Sequence, residues 1–318
     1  MANQQQESSR TVWVAIAANA AVAVVKGGAG LLAGSSALLA EAAHSVADTA
    51  NQGLLMVSLK RSDRPADEEH SFGYGKERFF WVLLAAVFMF IAGGIFGILE
   101  GIYRIIAGSS EKGGYVWSYG ALAFAAVAEG TSWVRALRQT RAEAREARLP
   151  LIRYLRTSKE PAVKTVASED TTALVGILLA FTGIALSQVT GSGVWDAAAA
   201  IAIGVLLCTV GLALARDTKG LLIGESARPD ERQRLKETIL RHDEVEDVIE
   251  LLTMYLGPQN LLVAVRLDLR DDLPASEVED LSTRIDQDLR DALPDVGQVF
   301  LDATPGRSED RVARAGRE

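Results

Sequence analysis

Long apolar windows separated by short polar links run through the first two thirds of the chain. Six can be marked, at Thr11–Leu32, Ser36–Leu59, Phe79–Ile106, Val116–Leu137, Lys164–Gln188 and Val194–Ala215. Each is long enough to cross about 30 Å of hydrocarbon as a helix, so the pattern predicts six transmembrane helices. The link between the first two is only Ala33-Gly34-Ser35, which predicts a tight helical hairpin, and a short Gly-containing link, Val189–Gly193, joins the last two. After Asp217 the period changes. Leu261, Val263, Val265, Leu267 and Leu269 alternate, which puts one apolar face on a sheet. Val278, Leu281, Ile285 and Leu289 recur at three and four, the stripe of a half-buried helix. Helices over Pro229–His242 and Ala275–Leu293, with strands near Val245–Tyr255, Asn260–Arg270 and Gln298–Asp302, make an αββαβ order, an open-faced α+β sandwich. The expected organisation is a six-helix transmembrane domain over residues 1–215, a small cytoplasmic α+β domain over 216–305 and a disordered charged tail over 306–318.

Composition agrees with a membrane protein. The 318 residues are 49% hydrophobic and 23% charged, and the charge is gathered into a few blocks. A formal charge of −8 disfavours a nucleic-acid partner, one cysteine excludes an internal disulfide framework, and three histidines exclude a His-rich metal store. The segment Met1–Arg10 is short and polar, with no cleavable signal pattern before the first apolar run. Basic residues collect in the second-to-third link (Lys60, Arg61, Arg64, Lys76, Arg78) and in the fourth-to-fifth (Arg138, Arg141, Arg145, Arg148, Arg153, Arg156, Lys159). Such loops stay on the cytoplasmic side, so both termini are expected in the cytoplasm. From Asp217 onward there are 14 basic and 24 acidic residues, so the acidity of the chain lies in the soluble part.

The informative residues are polar ones in apolar windows. A carboxylate or imidazole at membrane depth costs roughly 2.5–3.5 kcal/mol, and each calls for a reason. The second helix carries Glu41, His44, Asp48, Asn51 and Gln52. His44 and Asp48 are four apart and stack on one face, a spacing at which imidazole and carboxylate can chelate one dication. Asn51 lies within a small rotation of that face. The fifth helix contributes Glu169 and Asp170, adjacent positions about 100° apart, which do not serve as equal ligands. Asp48, Glu169 and Asp170 together would cost on the order of 8–10 kcal/mol if charged and unpaired, which a bound dication or protons would offset. A metal site between the second and fifth helices follows. Asn19, Lys26, Glu41, Glu100, Glu129 and Asp196 are expected in packing or helix-end roles, with Asp196 fixing the sixth helix against the fifth. Gly93, Gly97 and Gly101, at spacing four, form a ridge for close helix packing.

At these residues the chain resembles the cation diffusion facilitator family of divalent-metal/proton antiporters. The stretch Asn19…Lys26…Gly30…Gly34-Ser35-Ser36-Ala37-Leu38…His44-Ser45…Asp48 resembles the family's first hairpin. Asp67-Glu68-Glu69-His70-Ser71-Phe72-Gly73-Tyr74-Gly75-Lys76 resembles its loop between helices two and three, Asp170…Gly176 its fifth helix, and Val194-Trp195-Asp196 the start of its sixth. The likeness runs over about residues 10–303. It implies a transport site built from paired [His/Asp]-x-x-x-Asp motifs. His44 and Asp48 supply the first pair; on the fifth helix Asp170 holds the Asp position, but Val166 stands four before it and Glu169 beside it. The implied ligands are His44, Asp48 and Asp170, with Glu169, Asn51 or water as the fourth. The implied cargo is Zn2+ first, with Mn2+, Fe2+ or Co2+ favoured by an oxygen-richer site. In the loop Tyr74 replaces a second histidine, so metal binding by Asp67 and His70 is weak or lost and His70 acts as a loop hydrogen-bonder. With only His242, the soluble domain is expected to dimerise without strong metal loading.

The resemblance implies a transporter, not an enzyme, which exports divalent metal from the cytoplasm as a homodimer in the lipid bilayer. His44 must be neutral and the carboxylates ionised to hold metal, so metal and protons displace one another, and alternating access turns that competition into exchange. A metal sensor without transport and a structural scaffold with a polar helix core are the alternatives.

Overall fold

The computed structural model describes residues 2–108, 114–146, 150–151, 154 and 161–304, and side chains within these except those of residues 2–15, 146 and 161–168. The proposed tail over 306–318, and Arg148, Arg153, Arg156 and Lys159 of the fourth-to-fifth link, lie outside them. The chain divides into two compact units.

Among the described residues the first unit holds six long helices: α1 (Ala2–Ala33), α2 (Ser36–Ser62), α3 (Glu77–Ala107), α4 (Tyr115–Glu146), α5 (Pro161–Thr190) and α6 (Val194–Ile223). They run past the apolar windows at several ends, because a helix continues into polar sequence until something stops it. Gly34 stops α1: at φ 71° it adopts the left-handed turn that a side chain resists. Ser35 then caps α2, its Oγ accepting from Leu38 N at 3.2 Å. Four spans are long and apolar enough to cross a membrane by composition alone: Ile16–Ala33, Glu77–Ala107, Glu169–Thr190 and Val194–Ile223. The helices α2 and α4 are as long, and α2 turns its polar stripe inward, with Glu41, His44, Asp48 and Asn51 all buried. Outward faces carry Leu99, Ile106, Val127 and Leu178, all exposed, as a lipid-facing surface requires.

The glycine ridge on α3 packs against α6. A Cβ at Gly97 would lie 3.2 Å from Ala200 O, and one at Gly204 would lie 2.6 Å from Gly94 O. A π-helical turn over Met89–Ile95 inserts an extra residue into α3 and adds Gly94 to that contact.

Asp196 stands in the first turn of α6. Its carboxylate accepts from Ser35 Oγ at 2.6 Å and from the Ser36 backbone N–H. It therefore fastens α6 to the start of α2, whose free N–H groups and positive dipole end attract a buried acid, and the same turn of α6 lies on α5, where a Cβ at Gly183 would be 3.5 Å from Asp196 Cα.

The second unit joins Ser62–Lys76 to the chain from Gly220 to the end of the described residues. Its sheet has the order β1-β2-β3, with β1 (Val245–Gly257) antiparallel to β2 (Asn260–Leu269) and β2 parallel to β3 (Val296–Ala303). The helices α7 (Pro229–Ile239) and α8 (Ala275–Ala292) cover one face. Leu235, Ile239, Leu281, Ile285 and Leu289 bury against Val263, Val265 and Leu267, the alternating residues of β2. Pro229 opens α7 while Glu231 Oε2 accepts from Arg228 N at 2.7 Å. The Ser62–Lys76 loop seats on this unit: Phe72 meets Phe300 edge-on with ring centroids 6.3 Å apart, and a Cβ at Gly75 would collide with Leu256 O.

Candidate metal centre

The α2 stripe places His44 and Asp48 one turn apart, both buried, with His44 Nε2 3.4 Å from Asp48 Oδ2. His44 Nδ1 and Nε2 and Asp48 Oδ1 have no hydrogen-bond partner among the described residues. Buried polar atoms are normally satisfied. An imidazole and a carboxylate left open on one face can take a positive ligand between them.

From α5, Glu169 turns to this face: Asn51 Nδ2 donates to Glu169 Oε1, and the Glu169 carboxylate interacts electrostatically with that of Asp48. Asp170, roughly 100° around the helix, turns away, and Ser132 Oγ of α4 donates to its Oδ2 at 3.2 Å. The structure thus brings His44, Asp48, Asn51 and Glu169 to one region and sets Asp170 beside α4. Among the described residues, no group of three or more His, Cys, Asp or Glu side chains is gathered closely enough to hold a metal ion. The side chain of Val166 lies outside the described residues.

One set of polar residues read in sequence as packing is a cluster of its own. Lys26 Nζ of α1 donates to Glu41 Oε2 at 2.9 Å and to Ser45 Oγ at 2.9 Å, and lies 3.8 Å from Glu129 Oε1 of α4. The signal available in sequence was a lysine in the middle of an apolar window, which must pair with acids if it is to stay charged.

In the loop, Asp67 and His70 form a turn. His70 N donates to Asp67 Oδ1 at 2.8 Å and Tyr74 OH to Asp67 Oδ2 at 2.7 Å. The Tyr74 hydroxyl is the main cause that holds the Asp67 carboxyl below the usual carboxylate range. Both carboxylate oxygens are therefore engaged within the turn, and Arg64 lies over the Tyr74 ring at 4.1 Å.

Six long helices with an inward stripe of imidazole, carboxylates and amide define a multi-pass membrane protein with a polar interior. Residues 12–223 match the cation efflux transmembrane domain, and residues 227–305 match the cation efflux protein cytoplasmic domain. The chain belongs to the cation diffusion facilitator family, whose members are transporters and not enzymes. It is 29% identical over 248 residues to the human proton-coupled zinc antiporter SLC30A9, mitochondrial, covering 78% of this chain and 44% of that protein. It is 27% identical over 268 residues to metal tolerance protein C4 of Arabidopsis thaliana, covering 84% and 58%. With the manganese efflux system protein MneP of Bacillus subtilis (strain 168) it shares 26% identity over 316 residues, covering 96% and 99%. The chain spans about half the length of the first two of these relatives.

Proposed function

We propose that this protein exports divalent metal cations from the cytoplasm in exchange for protons. The observation that supports the reading most directly is the open pair His44 and Asp48, buried on α2 within the family's transmembrane domain and faced by Glu169. A dication entering there displaces protons, since imidazole must be neutral and carboxylates ionised to ligate, and protons arriving from the other side release it. The proposed ligands are His44, Asp48 and Asp170, with Glu169, Asn51 or water as the fourth, and binding draws α2 and α5 together, since the described side chains are not gathered closely enough to hold an ion by themselves. Zinc is the first candidate cargo, supported by the zinc antiporter name of the human relative, and manganese the second, supported by the Bacillus relative. The basic loops keep both termini on the cytoplasmic side, and the chain works as a homodimer. Residues 1–215 form the membrane part and 216–305 the cytoplasmic domain.

The test is zinc or manganese uptake into proteoliposomes driven by a pH gradient. The expected result is uptake by the natural chain and none by Asp48→Ala, with both equally folded. A natural chain that binds zinc but moves none under any gradient is a sensor; one that binds none is a scaffold. Either result overturns the reading. Val166→His is expected to shift competitive uptake toward zinc over manganese, because it adds the imidazole that the family motif carries four residues before Asp170.

A further inference from the structure

The metal stripe is not the only ionisable group in the helix bundle. Lys26, Glu41 and Glu129 come from three helices, α1, α2 and α4, and are almost wholly shielded, at 0%, 0% and 4% exposure. The ammonium binds Glu41 Oε2 and Ser45 Oγ at 2.9 Å each and lies farther, 3.8 Å, from Glu129 Oε1. One ammonium faces two carboxylates. Glu41 Oε1 has no hydrogen-bond partner among the described residues, and it presses on α5 at Gly176, where a Cβ would collide with it. A buried charge left without compensation is expensive, so a cluster with one cation and two acids is one positive charge short.

We infer that Lys26, Glu41 and Glu129 form a proton-binding site, separate from the metal ligands, which carries one proton when no metal is present. The proton is shared by the two carboxylates and resides mainly on Glu129, the acid farther from the ammonium. Protonated, the cluster is neutral: one ammonium, one carboxylate, one carboxylic acid.

The site is wired to the metal stripe by position. Ser45, which accepts from Lys26, adjoins His44 and lies three residues from Asp48, on the next turn of the same helix face. The charged and titratable groups that face the cluster are His44 and Asp48 on α2 and Glu169 and Asp170 on α5, besides its own three members. Resting on the reading that a dication enters at His44 and Asp48, the added positive charge about one helical turn away favours loss of the cluster's proton. Return of that proton favours loss of the metal. Metal binding then expels one proton more than the ligands alone release.

The experiment titrates zinc chloride into the metal-free full chain in detergent, by calorimetry in buffers of different ionisation enthalpy, which counts protons released per zinc bound. Glu129→Gln is expected to bind zinc and release about one proton fewer than the natural chain. Glu41→Gln is expected to do the same and serves if the first variant does not fold. An unchanged count in a folded, zinc-binding variant overturns the inference and leaves metal exchange at His44 and Asp48 standing. If the natural chain binds no zinc, the proposed function fails, and the infrared spectrum of the metal-free protein decides the cluster alone. A protonated-carboxyl band that Glu129→Gln removes upholds the site, and a spectrum that the substitution leaves unchanged overturns it.

Discussion

The two units place the same residue types in opposite ways. In the helical unit Lys26, Glu41, Glu129, Asp48 and Glu169 are buried, while Leu99, Ile106 and Val127 are exposed. In the C-terminal unit Leu235, Leu281 and Ile285 are buried, and Arg266 bridges exposed Glu250 and Asp302 across the outside of the sheet at 3.1 and 3.0 Å. Lipid does not reward burying a leucine, so helices in a bilayer associate through small residues and polar contacts, and their few ions carry function. Water does reward it, so the α/β unit is held by apolar burial, and ion pairs such as those of Arg266 lie in solvent. An ion pair therefore means different things in the two units.

Substitutions can break or sharpen that contrast. The largest effect is expected from Lys26→Met, which leaves a buried carboxylate and its neighbouring acid without their cation. Breaking a buried pair from one side costs about 3–5 kcal/mol, read as a lower unfolding temperature in detergent. If the loss is negligible, the helical unit tolerates buried charge as the sheet surface does, and the contrast fails. Ile285→Ala removes an apolar side chain from between α8 and the sheet and is expected to cost about 2–5 kcal/mol, seen as a lower denaturant midpoint of the C-terminal unit. Gly204→Ala adds a methyl where Gly94 O and Ile98 N stand 2.6 and 2.7 Å away. Backbone cannot step aside like a flexible side chain, so a loss of about 1–3 kcal/mol is expected in the helical unit only.

The smallest effects belong to the exposed groups. Arg266→Ala is expected to leave the unfolding temperature unchanged within measurement, since both of its partners are solvated. Tyr74→Phe removes the hydroxyl that holds the Asp67 carboxyl down. Because the folded value of this acid lies below its unfolded one, its contribution is complete above the ordinary carboxylate range and is lost as pH falls through the lowered value. The variant is expected to raise the Asp67 titration midpoint, followed by the carboxyl carbon resonance, and to narrow that acid-side window.

Much of this architecture could be read along the chain because it is local. The spans α1, α3, α5 and α6 announce themselves by length and apolarity, the α1–α2 hairpin by Gly34-Ser35, and β2 and α8 by periods of two and of three to four. His44 and Asp48 were legible for the same reason, since four residues on a helix make one face. The π turn in α3 was not, because Met89–Ile95 reads as ordinary apolar helix and the extra residue is set by how Gly93 and Gly94 close on α6.

The sequence by itself determined where helices and strands run, which windows enter hydrocarbon, and that a few acids, one imidazole and one lysine in those windows needed partners. Those are consequences of hydropathy and periodicity, which act over a handful of residues. Only the tertiary structure decided the partners: Asn51 with Glu169, 118 positions apart, Ser35 with Asp196, 161 apart, and Lys26 with Glu41 and Glu129. It turned Glu169 toward α2 and Asp170 toward α4, and set Asp196 against the start of α2. The rotation of each helix about its own axis settles such choices, and that rotation is fixed by how side chains and glycines of neighbouring helices interlock.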